Sequence, residues 1–197
     1  MTAPPDIAEP QGTRDEDDAA LVVASVDDAE RFTAVYDRHF PAVYRYVAGR
    51  LGPQVADDVV AETFLAAFRR RASFDPAKGG VGPWLYGIAT AEVAQHRRAE
   101  TRRYQALARV VPDTGPGGHE DRVASSVSAG RMQPQLARAL AGLSRKDRDV
   151  VLLKALAQLT HEEIGAVLGI PYGTVGSRLN RARKKLRACL PAGTEGI

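Results

Sequence analysis

One cysteine, Cys189, in 197 residues leaves nothing for it to pair with inside the chain, which excludes an intramolecular disulfide and fits a reducing compartment. Long apolar runs are also missing. No stretch approaches the roughly 20 residues needed to span a bilayer, and the N-terminal segment is acidic where a secretory signal would be basic. No membrane insertion and a cytoplasmic location are therefore expected. The histidines, His39, His96, His119 and His161, are scattered at spacings that make no metal site. Cys189 has no evident base partner, and Asp57, Asp58 and Glu62 are explained by charge at a helix start without catalysis. No catalytic residue, metal or cofactor is expected, and the chain does not read as an enzyme.

Net charge is only +3, but it is unevenly spread: residues 6–30 are rich in Asp and Glu, whereas Arg97 to Arg109 and Arg178 to Arg187 are basic. Such local fields suit an anionic polymer. Residues 1–27, acidic and poorly hydrophobic, are expected to be a disordered tail. Residues 109–132, rich in Gly, Pro and Ser and without apolar periodicity, read as a flexible linker. They divide an all-α chain into two small helical domains, 28–108 and 133–190, followed by a short tail at 191–197.

The second domain carries the most specific pattern, LTHEEIGAVLGIPYGTVGSRLNRARKKL, from Leu159 to Leu186. Thr160 and Glu163 have the spacing of a capping box. Ile164, Val167 and Leu168 recur at helical steps, Gly169 suits a left-handed closing residue, and Pro171 forbids simple continuation. A second helix follows, with Val175, Leu179, Ala182 and Leu186 on one stripe. This is a helix-turn-helix of the kind that enters DNA. The N-terminal residues of such a helix read base edges, which makes Tyr172, Thr174, Ser177 and Asn180 base-facing candidates. Arg178, Arg181, Arg183, Lys184, Lys185 and Arg187 are placed to hold phosphates.

In the first domain, Phe32, Val35, Tyr36, Phe40, Val43, Val47 and Leu51 predict a helix over 28–50, kinked or broken near Pro41. DDVVAETFLAAF, Asp57 to Phe68, predicts a second, and FDPAKGGVGP, Phe74 to Pro83, a loop. A further helix is expected from Trp84 through Tyr104, inward at Leu85, Ile88, Ala89 and Val93 and cationic at its far end. Trp84 and Tyr86 beside that loop offer flat surfaces for unstacked bases. A tryptophan at a helix start is, however, more often a core anchor.

The two halves together resemble the extracytoplasmic-function sigma factors, the two-domain group among bacterial RNA polymerase initiation factors. DDVVAETFLAAF is similar to the helix that grips the clamp helices of the largest polymerase subunits, FDPAKGGVGPWLYGIA to the promoter-melting segment, and Leu143 to Leu186 to the domain that reads the −35 element. The resemblance implies core-polymerase contacts at Asp58, Glu62, Phe64 and Leu65. It implies −10 contacts at Lys78, Trp84, Tyr86, Gln95, His96, Arg97 and Arg98, and −35 contacts at Tyr172, Thr174, Ser177, Arg178, Asn180, Arg181 and Lys184. Core polymerase, promoter DNA and an anti-sigma factor are the implied partners. Ala61, Ala91 and Gly176 depart from the family, which commonly has Gln, Asn and a cation at these places. The rival reading is a stand-alone helix-turn-helix repressor or activator, which would dimerise on paired half-sites.

Overall fold

A computed structural model describes residues 11–108 and 134–189. Among these residues every regular element is helical: α1 (Gln11–Ala24), α2 (Phe32–Leu51), α3 (Pro53–Arg70), α4 (Val81–Ala108), α5 (Pro134–Ala141), α6 (Arg145–Leu156), α7 (His161–Leu168) and α8 (Tyr172–Cys189), with single 3-10 turns at Ala29–Arg31, Arg71–Ser73 and Pro76–Lys78. The expected linker at 109–132, the tail at 191–197 and residues 1–10 lie outside the described residues.

Helices α2, α3 and α4 pack on one another. Val35, Val43, Tyr46 and Val47 from α2 meet Val60, Phe64 and Ala67 from α3 and Leu85, Ala89 and Val93 from α4, all buried. The tight turn between α2 and α3 is set by Gly52 at φ 89°, outside the range that residues with a Cβ adopt comfortably, and by Pro53 in the first turn of α3, where a missing N–H costs nothing. Contrary to expectation, α2 is not broken at Pro41. Proline removes the donor that would bond the carbonyl of Asp37, but both residues are exposed, so water can serve that carbonyl. Helix α4 begins earlier than expected, at Val81, which is fully buried. Pro83 then sits in the first turn, where it is tolerated.

The expectation of disorder for residues 1–27 is corrected from Gln11 onward. Helix α1 packs on α2 and α4, with Val22 fully buried. Its Asp18 is buried too, its two carboxylate oxygens paired with Arg38 Nη1 at 2.5 Å and His39 Nε2 at 2.8 Å. An acidic residue that composition assigns to solvent is here neutralised inside the fold. Arg71 completes the attachment, donating from Nε to the Ser25 carbonyl and from Nη1 to that of Phe68.

In the second half, Ser144 caps α6 by accepting from the Asp147 amide at 3.2 Å. The buried Arg148 donates to the carbonyls of Leu140, Ala141 and Leu143, satisfying the C-terminal end of α5. The capping box is complete: the Glu163 amide donates to Thr160 Oγ1 at 3.2 Å, and the Thr160 amide to Glu163 Oε2 at 2.7 Å. Gly169 closes α7 in the left-handed region, φ 62°. Gly165, inside α7, is needed for space, because a Cβ there would lie 2.9 Å from the Ile170 carbonyl oxygen of the turn. Gly165→Ala is expected to destabilise the fold by about 1–3 kcal/mol through overpacking against backbone. Thermal denaturation followed by circular dichroism checks this, and an unchanged midpoint refutes it.

The two halves share one continuous apolar core. Helix α6 rests on α2 and α7 on α4.

Candidate nucleic-acid and partner interfaces

Helix α8 presents two unlike sides. Val175 and Leu179 are buried in the core with α6 and α7, and Ala182 is buried in a second cluster with Leu140 and Leu143, as the stripe predicts. Tyr172, Ser177, Asn180, Arg181 and Lys184 are exposed, while Thr174 and Arg178 are half-buried on the shoulder. Arg183, Lys185 and Arg187 are exposed as well and extend the cationic surface. Two candidates already have internal partners: Ser177 Oγ donates to the Thr174 carbonyl at 3.0 Å, and Arg181 pairs with Asp147 at 3.3 Å. Tyr172 stacks obliquely on His161 at 5.5 Å between ring centres, so the start of the helix is propped by its predecessor. A Cβ at Gly176 would meet nothing within 4 Å. Gly176→Ala is therefore expected to stabilise the fold by up to about 1 kcal/mol, the helix-propensity difference. A raised unfolding midpoint in chemical denaturation is the check, and a lowered one would show that the glycine is structurally required.

Helix α4 sorts its candidates by angle. At 100° per residue, Trp84, Ala91, Gln95, Arg98 and Arg102 fall on one side, and all but the half-buried Trp84 are exposed. This stripe runs about 21 Å from Trp84 to Arg98 at 1.5 Å per residue. Trp84 lies against Phe74 of the preceding loop, ring centres 5.0 Å apart. Lys78 of that loop is solvent-exposed and paired with Asp75 at 3.0 Å, which holds the Asp75 carboxyl below its usual range. His96 stands beside the stripe, 3.8 Å from Glu100.

Two of the −10 candidates lie elsewhere. Tyr86 is buried, edge-on to the Tyr46 ring at 5.3 Å, and burial raises its phenol to about 12. It belongs to the core. Arg97 turns away from the stripe and donates from Nη2 to the Arg50 carbonyl at 2.9 Å. The Tyr86 side chain does not face solvent as a base contact must, whereas Arg97 is half-buried.

The third surface is a shallow apolar groove between α2 and α3, of about 380 Å³, lined by Phe32, Tyr36, Phe64, Leu65 and Phe68 with the small Ala29 and Thr33. Phe64 is buried, its ring 4.8 Å from that of Tyr36, while Tyr36 and Leu65 remain 39% and 40% exposed. Asp58 and Glu62, exposed on α3, add charge to the same helix. Sequence periodicity assigns Tyr36 to the core. Only the packing of α2 on α3 reveals that it stops at a half-open surface.

Family models for Sigma-70 region 2 and Sigma-70 region 4 match residues 35–103 and 133–186, which places an all-helical chain with these surfaces among the sigma factors. The chain is 31% identical over 169 residues to the ECF RNA polymerase sigma factor SigL of Mycobacterium tuberculosis, a match covering 85% of this chain and 93% of that protein. It is 30% identical over 171 residues to the ECF RNA polymerase sigma factor BldN of Streptomyces coelicolor, covering 85% of this chain and 63% of BldN. Among solved structures, CnrH in complex with the cytosolic domain of CnrY has a TM-score of 0.61 at 26% identity, covering 88% of this chain and 95% of CnrH. The chain belongs to the extracytoplasmic-function sigma factors of RNA polymerase. A stand-alone repressor or activator is not favoured. Among the described residues no helix is long and apolar enough to cross a membrane.

Proposed function

We propose that the chain confers promoter selection on core RNA polymerase through a division of labour between its halves, a non-enzymatic role carried out in the cytoplasm. The groove of Tyr36, Phe64 and Leu65, with Asp58 and Glu62 beside it, docks a clamp helix of the largest polymerase subunit. The stripe of Trp84, Gln95 and Arg98 holds the displaced −10 strand, and the exposed side of α8 reads the −35 duplex. The observation that carries the reading is that one chain bears, in this order, an apolar docking groove, an aromatic and cationic stripe and a capped helix-turn-helix with a cationic second helix. Each half offers few contacts, so tight binding arises when polymerase holds both at a fixed spacing and each raises the effective concentration of the other.

An anti-sigma factor covering these surfaces is part of the proposal, in keeping with the complex formed by CnrH. Run-off transcription with purified core enzyme on genomic fragments, followed by mapping of the starts, tests the reading. Failure to confer new starts would sink it. Trp84→Ala is expected to lower the yield of open complex by about tenfold or more, the effect of losing stacking worth ~1–3 kcal/mol, while recruitment of the holoenzyme to duplex promoter stays near wild type. Permanganate footprinting reads the first and gel retardation the second. Equal losses in both would make Trp84 only a core anchor against Phe74.

A further inference from the structure

The far end of α3 carries a feature that none of the three surfaces uses. Arg69, Arg70 and Arg71 stand in a row ahead of Ala72, Ser73 and Phe74, a run of cations leading to a hydroxyl. Arg71 is committed to the fold, its guanidinium 3.8 Å from the centre of the Phe68 ring and donating to the carbonyls of Ser25 and Phe68. Arg69 and Arg70 are exposed, and their charges face solvent. Ser73 is exposed as well and ends the single 3-10 turn, its Oγ donating to the Arg70 carbonyl at 2.7 Å. Phe74 then leaves in extended backbone, φ −67° and ψ 130°, toward its contact with Trp84.

An arginine-directed protein kinase selects a hydroxyl by pairing guanidinium groups a few residues upstream of it with carboxylates of its own cleft. Among the exposed serines and threonines of the described residues, only Ser73, after Arg70, and Thr101, after Arg98, have an arginine three places ahead. Thr101 lies within the 28-residue α4, with Oγ1 donating to the Arg97 carbonyl at 2.9 Å, so drawing it into a cleft would break the helix on both sides. Ser73 asks for much less. One short turn must open, held by its own hydroxyl and by the Phe74 amide donating to the Arg71 carbonyl at 3.1 Å. Exposed turns at helix ends are the segments that open at least cost.

We propose that Ser73 is a phosphorylation site, recognised through Arg69 and Arg70 by an arginine-directed serine/threonine kinase, and that its phosphate weakens engagement of the −10 strand. In the reaction Ser73 Oγ forms a bond to the γ-phosphorus of ATP, the bond from that phosphorus to the bridging oxygen of the β-phosphate breaks, ADP leaves, and the hydroxyl proton passes to the catalytic carboxylate of the kinase. The new group carries a charge of roughly −1.5 to −2. It no longer donates to the Arg70 carbonyl as the hydroxyl did, and it stands at the C-terminal end of α3, where the helix dipole disfavours anions. It also lies one residue from Phe74, the ring that flanks Trp84. An anion there repels the phosphates of any strand laid along the Trp84, Gln95 and Arg98 stripe. The inference rests on the reading of that stripe as the −10 surface.

The full-length protein is incubated with magnesium, ATP and the catalytic subunit of cyclic-AMP-dependent protein kinase as an arginine-directed probe, and the modified residue is mapped by mass spectrometry. Incorporation is expected at Ser73, absent in Ser73→Ala and slower by about tenfold or more in Arg70→Ala. Affinity of the phosphorylated protein for a fluorescein-labelled oligothymidylate is expected to fall by about tenfold, with a smaller difference at high salt, while kinase-treated Ser73→Ala binds like the untreated wild type. Circular dichroism establishes that each form is folded. No incorporation at Ser73 in the folded protein, or equal rates with Arg70→Ala, overturns the site. Full phosphorylation with unchanged oligothymidylate affinity overturns its effect on the strand. The stripe is judged separately: a Trp84→Ala protein that binds oligothymidylate as tightly as wild type strikes the −10 reading, while the mapping of Ser73 stands on its own.

Discussion

Leu65→Asp is expected to weaken association with core RNA polymerase by about thirtyfold or more, the consequence of losing an anchor worth ~2 kcal/mol in a desolvated groove. Leu65 is 40% exposed and lines the groove with Tyr36 and Phe64. A carboxylate there can stay hydrated in the free protein, so the fold should persist. On docking it would have to shed water against the apolar rings of the groove and find no cation among the groove residues. Phe64, in contrast, is 4% exposed, and a charge at that position would unfold the domain before it tested anything. Fluorescence anisotropy with labelled chain and purified core enzyme measures the loss, and circular dichroism establishes that the fold is intact. Binding within about threefold of wild type would mean that the groove is not a hot spot of the dock.

The joint replacement of Arg178 and Arg181 by Ala is expected to flatten the salt dependence of −35 duplex binding, the logarithmic slope becoming shallower by about 2 because each phosphate contact releases close to one counterion. Core-polymerase binding should not change. Arg181 pairs with Asp147 at 3.3 Å, yet Asp147 also accepts from Ser144 Oγ at 2.8 Å, so the cap of α6 survives the substitution. Titrations over a range of salt concentrations, on a duplex spanning the upstream element of a mapped start, give the slope. An unaltered slope would place the phosphate contacts on the more distal Arg183, Lys184 and Lys185.

Local signals in the chain translated well into structure. Thr160 with Glu163, Gly169, Pro171 and the Val175, Leu179, Ala182 stripe act within one or two helical turns, and each appears as its residue type requires. The sequence says less where a neighbour far along the chain decides. Tyr86 looked like an aromatic beside a glycine-rich loop, but Tyr46, forty positions away, takes it into the core. Arg97 belongs by composition to a cationic helix end, and the Arg50 carbonyl claims it. Asp18 reads as solvated charge until Arg38 and His39 are folded against it. The apolar groove was only half legible: α3 supplied Phe64 and Leu65, whereas periodicity alone could not tell that Tyr36 of α2 stays partly open. The capping residues and turns carry their meaning in themselves; the fate of a polar side chain depends on who arrives opposite it.

The attachment of α1 has a practical bearing on how shortened versions of this protein would behave. Cutting at residue 28 would strip Val22 from the apolar interior and leave Arg38 and His39 without the carboxylate they share. Such a trimmed protein would be a cavity mutant, prone to aggregate on purification. A boundary placed ahead of Gln11 keeps the whole of that first helix.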